Sequence, residues 1–124
     1  MPTIEHFDIP ATDVVRAKAF YEGLFGWSIT KTPIPGVEYW VIQTADLQGR
    51  RGLRGGMMRR QGEEQSPLNY VAVEDIEASV RKCAELGGKV RHRSEQAGVG
   101  KFAIVEDTEG NRIGLWQRAP SAKP

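Results

Sequence analysis

The feature that most constrains this chain is that it is written twice. Asp107-Thr108-Glu109-Gly110 has turn chemistry: side chains that bond their own backbone, then a glycine that tolerates positive φ. Phe102-Ala103-Ile104-Val105 precedes it and Ile113-Gly114-Leu115-Trp116 follows, so the stretch reads as strand, tight turn, strand. A degraded copy lies upstream: Trp40-Val41-Ile42-Gln43, then Asp46-Leu47-Gln48-Gly49, then a run ending in Met57-Met58. The correspondence continues at a near-constant offset, matching His6 with Asn69, Gly26 with Gly88, Gly36-Val37 with Gly98-Val99, and Trp40 with Phe102. A repeat outweighs local propensity in fixing architecture.

Each half spells β-α-β-β-β. Residues 4–10 alternate, with Phe7 and Ile9 on one face and His6 and Asp8 on the other, and the strand is expected to end at Pro10. Thr12 is read as a helix N-cap with Asp13 in the first turn, and Gly26 as the stop. Strands follow over residues 27–32, 38–44 and about 53–59. In the second half Leu68–Val73 is a strand, Asp75 caps a helix, Gly87-Gly88 ends it, and 89–93 begins the remaining strands. The expected organisation is one α+β domain over 1–124. Module one runs about 3–60, a polar hinge about 60–67, module two about 68–118, and a small, Pro-rich tail at 119–124 is expected to fray.

Net charge is +1, which gives no global electrostatic case for nucleic acid or an acidic membrane. No run approaches a membrane span, no basic-then-apolar leader opens the chain, and Cys83 is the single cysteine. A cytoplasmic, disulfide-free protein is expected. Cys83 reads as an inert thiol on the apolar face of the second helix. Arg50, Arg51, Arg54, Arg59 and Arg60 crowd one stretch and read as a solvated strand edge, with carboxylate or phosphate binding as the functional alternative. Trp27, Tyr39, Trp40, Met57, Met58, Phe102 and Trp116 divide between core and a lining suited to a flat organic ligand.

The series His6-Phe7-Asp8-Ile9-Pro10, Arg16-Ala17-Lys18-Ala19-Phe20-Tyr21 and Leu24-Phe25-Gly26-Trp27 resembles the vicinal oxygen chelate superfamily of glyoxalase I, bleomycin resistance proteins and extradiol dioxygenases. Val73-Glu74-Asp75-Ile76, Glu85-Leu86-Gly87-Gly88 and the segment from Asp107 to Trp116 resemble its second half. The resemblance implies two paired βαβββ units whose sheet curves into a cup, helices outside and ligand inside, and commonly a homodimer. It also implies four metal-ligand positions, usually two His and two Glu. Carried over singly, the first falls on His6, which matches; the second on Gly56 to Met58; the third on Asn69, or Leu68 one residue earlier; the fourth on Gly114. One imidazole does not hold a catalytic divalent ion. The expected protein is therefore metal- and cofactor-independent and binds a small organic molecule through His6, Asp8, Met58, Asn69, Gly114 and Trp116. The alternatives are a lyase or isomerase using a non-standard site at His6 and Asp8, and an accessory subunit acting through its surface. Strand parity sends Phe7, Ile9, Met57, Tyr70 and Leu115 to the helix side. The glycines at 56 and 114 are expected to leave room, so that Gly114→Trp fills the site without harming the fold.

Overall fold

The computed structural model describes residues Met1–Pro120. The chain forms β1 (Ile4–Ala11), α1 (Val14–Phe25), β2 (Ser28–Lys31), β3 (Tyr39–Gln43), β4 (Arg54–Arg59), β5 (Leu68–Ala72), α2 (Ile76–Glu85), β6 (Lys89–Gln96), β7 (Gly100–Glu106) and β8 (Arg112–Arg118). This is the expected α+β repeat of βαβββ. Two compact units result: His6–Pro67, and the residues from Leu68 onward together with Met1–Glu5.

In the unit His6–Pro67 the strands lie in the order β2-β3-β4-β1. β1 runs parallel to β4, pairing Asp8 with Gly56 and Ile9 with Met57. β3 is antiparallel to β4, pairing Tyr39 with Met58 and Val41 with Gly56. One face packs on α1 through Ala11, Val14, Ile29, Ile42 and Met57, with Phe7, Ile9, Tyr21, Trp27 and Trp40 around them. Trp27 stacks on Tyr21 at 5.3 Å. Burial of such side chains contributes roughly 1.5–3 kcal/mol each. In the second unit the order is β5-β8-β7-β6. Ile76, Ala103 and Val105 are its buried centre, joined by Val73, Val80, Cys83, Ile113 and Leu115. Cys83 is thus a half-buried packing residue.

The repeat extends to individual atoms. Asp46 Oδ1 accepts from the amides of Gln48 and Arg50, and Asp107 Oδ1 accepts from those of Glu109 and Asn111, all at 2.8–2.9 Å. Each turn closes on a glycine of matching conformation, φ 83° at Gly49 and 84° at Gly110, where any side chain would be strained. Asp13 and Asp75 cap the helices in the same way, accepting from Arg16 N at 3.0 Å and Ala78 N at 3.2 Å.

Three local expectations are corrected. The α1 cap is Asp13, because its carboxylate reaches the third helical amide; Thr12 Oγ1 instead accepts from Arg60 Nε at 3.2 Å. β1 continues through Pro10 to Ala11. Ala11 O faces β4 and accepts from Arg60 N, so alternation turns the Pro10 nitrogen the other way and no rung to β4 is lost. β6 is longer than expected, reaching Gln96, and is exposed along its whole length. Of the expected frayed tail, Ala119 donates to Val99 O at 3.1 Å, and residues 121–124 lie outside the described residues.

Candidate functional site

The face of the His6–Pro67 unit turned away from α1 carries the polar cluster. Alternation along β1 puts His6 and Asp8 there, because Phe7 and Ile9 are taken by the core. His6 Nε2 lies 2.9 Å from Asp8 Oδ1. Tyr39, from β3, brings its hydroxyl to 2.9 Å from the same nitrogen and donates to the same carboxylate oxygen at 3.0 Å. Three groups from two strands therefore close a triangle. It is consistent when Nε2 carries a proton and both it and the phenol donate to Asp8, a tautomer inferred from the network. His6 and Asp8 side chains are 23% and 18% exposed, so the cluster is mostly desolvated yet reachable.

A glycine makes this possible. Gly56 sits beside Asp8 on β4, and a methyl group built on it would lie 1.7 Å from the Tyr39 hydroxyl oxygen. The phenol occupies the volume that any side chain at 56 would need. The C-terminal unit repeats the device: a methyl at Gly114 would lie 2.3 Å from the Tyr70 ring. Expected room at both positions is in fact filled, in each case by a tyrosine.

Of the residues expected to share a face with His6, Asp8 and Met58 do so: Met58 pairs with Tyr39 and Pro10. In the second unit Gly114 and Trp116 share the face away from α2, since the alternating Ile113 and Leu115 pack with Ile76. Asn69 and Tyr70 exchange places relative to expectation. Tyr70 pairs directly with Gly114, and Val71 with the core residue Leu115, so Asn69 lies on the helix side and Tyr70 on the opposite face. The match of His6 to Asn69 was one residue out of register; Leu68 holds the corresponding parity. Tyr70 then joins an aromatic row. Its ring meets Phe102 edge-on at 5.9 Å, Phe102 lies parallel to Trp116 at 6.1 Å, and the Arg118 guanidinium covers Trp116 at 5.0 Å while pairing with Glu5.

The donors do not fit the four-ligand metal centre implied by the resemblance. Position 6 offers an imidazole already engaged with Asp8 and Tyr39, position 56 offers no side chain beneath a phenol, and position 114 offers none beneath a ring. Leu68 has no donor atom, and Asn69 lies on the helix side. Among the described residues no group of three His, Cys, Asp or Glu is arranged to hold an ion. The arginine-rich stretch disperses. Arg50 pairs with Asp46 at 3.0 Å, Arg59 with Glu38 at 3.4 Å, and Arg60 is bound to neutral oxygens.

The model of the Glyoxalase/Bleomycin resistance protein/Dioxygenase superfamily matches residues 3–115. The chain belongs to that superfamily. A superfamily relative in Didymella fabae, named a glyoxylase-like domain-containing protein, is 30% identical over 93% of each chain. The Mycobacterium bovis protein CFP32, which bears a glyoxylase name, is 34% identical over 89% of this chain and 43% of its own length. The Streptomyces peucetius anthracycline biosynthesis protein DnrV is 26% identical over 90% of this chain and 46% of its own. The chain thus spans under half the length of those two relatives. Among solved structures, a methylmalonyl-CoA epimerase bound to methylmalonyl-CoA superposes with TM-score 0.69 at 15% identity, covering 100% of this chain and 99% of that one. A hypothetical protein from Bacillus halodurans gives 0.67 at 13%, covering 99% of both. At those identities the likeness establishes the fold.

Proposed function

We propose that this chain is a metal-independent binding protein for a small, flat organic molecule, a superfamily scaffold in which a hydrogen-bonding cluster has taken over from a metal. The observation that carries the reading is the Tyr39 hydroxyl over Gly56, bonded to His6 and Asp8, in the stretch Gly56 to Met58 to which the resemblance carries the second ligand position. Such a cluster holds both donors and an acceptor and suits a ligand carrying hydroxyl or carbonyl groups. The row Tyr70, Phe102 and Trp116 supplies flat apolar surface for rings. The name of the Streptomyces relative, for anthracycline biosynthesis, supports a polycyclic aromatic ligand. The proposed contacts at the hydrogen-bonding cluster are His6, Asp8, Tyr39 and Met58; the second unit, taken by itself, offers Tyr70, Phe102, Gly114 and Trp116 as an aromatic face, and Asn69 is not part of it.

The test is a thermal-shift and tryptophan-fluorescence panel of hydroxylated anthraquinones and simpler phenols in chelator. Saturable binding, weakened about tenfold in Tyr39→Phe by loss of the hydroxyl, is expected. Absence of saturable binding across the panel at millimolar ligand refutes the reading.

One observation favours a second reading, an isomerase or lyase. The 2.9 Å imidazole–carboxylate contact of His6 and Asp8 is the usual arrangement for orienting a general base. Turnover of a bound ligand, abolished in His6→Gln, would establish it. No helix among the described residues is long and apolar enough to cross a membrane. A cytoplasmic homodimer remains our reading of the assembly: Leu24 and Phe25 at the end of α1 are 59% and 56% exposed, apolar surface that suits a partner. A monomer mass by light scattering across a wide concentration range would contradict the dimer.

A further inference from the structure

A cavity in the His6–Pro67 unit lies on the helix side of β1, the opposite face from His6 and Asp8. Its volume is about 410 Å³, within the range of small-molecule pockets. Ile9, Ala11, Ala17, Phe20 and Tyr21 give it an apolar lining, and Arg16 and Arg60 bring guanidinium groups to it.

The two arginines differ in a way that bears on what the cavity accepts. Arg60 is fixed. Its Nε donates to Thr12 Oγ1 at 3.2 Å, one terminal nitrogen to Pro10 O at 3.4 Å and the other to Gln65 O. Every one of these acceptors is neutral, so the guanidinium is positioned without its charge being cancelled. A guanidinium has five N–H groups, and these contacts leave two, one on each terminal nitrogen. Arg16, in the first turn of α1, is exposed, and no hydrogen bond or ion pair engages its guanidinium among the described residues. The acid in the lining is Asp13, whose Oδ1 is spent on Arg16 N at 3.0 Å as the helix cap. The cavity therefore combines ring-sized apolar surface with net positive charge and unspent, forked donors, the arrangement that recognises a carboxylate.

We propose that this cavity is a second binding site, for a small aromatic carboxylate. The ring lies against Phe20, Tyr21 and Ala17, and the carboxylate takes the two remaining Arg60 donors and the free Arg16 head. Because Arg16 is solvent-exposed, the interaction weakens as salt rises.

The probes are 2-naphthoate and its neutral amide counterpart, 2-naphthamide, in calorimetric titration with the full chain, with chemical-shift mapping to place the binding. Saturable naphthoate binding is expected, at least tenfold tighter than naphthamide. Shifts should centre on Ala17 and Phe20. Arg16→Gln, which removes no internal contact, should weaken binding about tenfold, and Arg51→Gln, an exposed arginine outside the lining, should leave it unchanged. Three results overturn the proposal: no saturable naphthoate binding at millimolar concentration, naphthamide bound equally well, or shifts centred on His6 and Asp8 with Arg16→Gln unaffected.

Discussion

Replacing Gly56 by alanine separates a role for the missing side chain from mere tolerance of it. The backbone at 56 is not in the left-handed region, so alanine is conformationally free there. A strand glycine exchanged for alanine would ordinarily gain roughly 0.5–1 kcal/mol. Here the new methyl would stand 1.7 Å from the Tyr39 hydroxyl oxygen, so the phenol must leave. Its contacts to His6 and Asp8, at 2.9 and 3.0 Å, go with it. Each such bond is worth about 0.5–1.5 kcal/mol net, and together they outweigh the glycine gain. Gly56→Ala should therefore destabilise by about 0.5–2 kcal/mol, lowering Tm by roughly 2–8 °C for a domain of this size. In a Tyr39→Ala background the obstacle is gone, and the same substitution should stabilise. Calorimetric or denaturant unfolding of the four proteins measures this cycle. Equal effects of Gly56→Ala in both backgrounds, or a gain in the wild type, would refute the reasoning.

Gly114→Trp should destabilise the protein rather than merely fill a site, because even its Cβ would approach the Tyr70 ring to 2.3 Å; unfolding of Gly114→Trp at the wild-type midpoint would show the opposite. Acid should weaken the β7–β8 turn. The amides of Asn111 and Glu109, donating to Asp107, hold its carboxyl below the ordinary 3.8. A depressed carboxyl contributes stability that is fully present above the unfolded value and is lost as pH falls through the lower folded one. Asp107→Asn should therefore show a Tm deficit at pH 7 that closes below pH 3.8, where a constant deficit across that range would be wrong for this cause.

Much of the fold was legible because the repeat encodes it at turns, where chemistry is local. Asp46 and Asp107 form matching bonds with different intervening residues, since an Asx side chain and a positive-φ glycine suffice. The helix cap was misread by one residue because Thr12 and Asp13 are both competent, and Arg60, remote in sequence, claims Thr12. The candidate site was legible on β1, where Phe7 and Ile9 announce the core side and leave His6 and Asp8 opposite. It failed on β5 because Leu68-Asn69-Tyr70-Val71-Ala72 has apolar residues at both parities, so nothing local chooses between Asn69 and Tyr70. Tyr39 was grouped with the bulky apolar residues. Its part is legible only once β3 is in register with β4, because the space it fills belongs to Gly56.

The central claim is that hydrogen bonds among His6, Asp8 and Tyr39 have replaced a metal centre, and elemental analysis tests it most directly. Protein expressed in medium supplemented with zinc, nickel, iron and manganese, and purified without chelator, should carry far less than one equivalent of any of them. Near one equivalent of a divalent metal, lost in His6→Gln, would contradict the account.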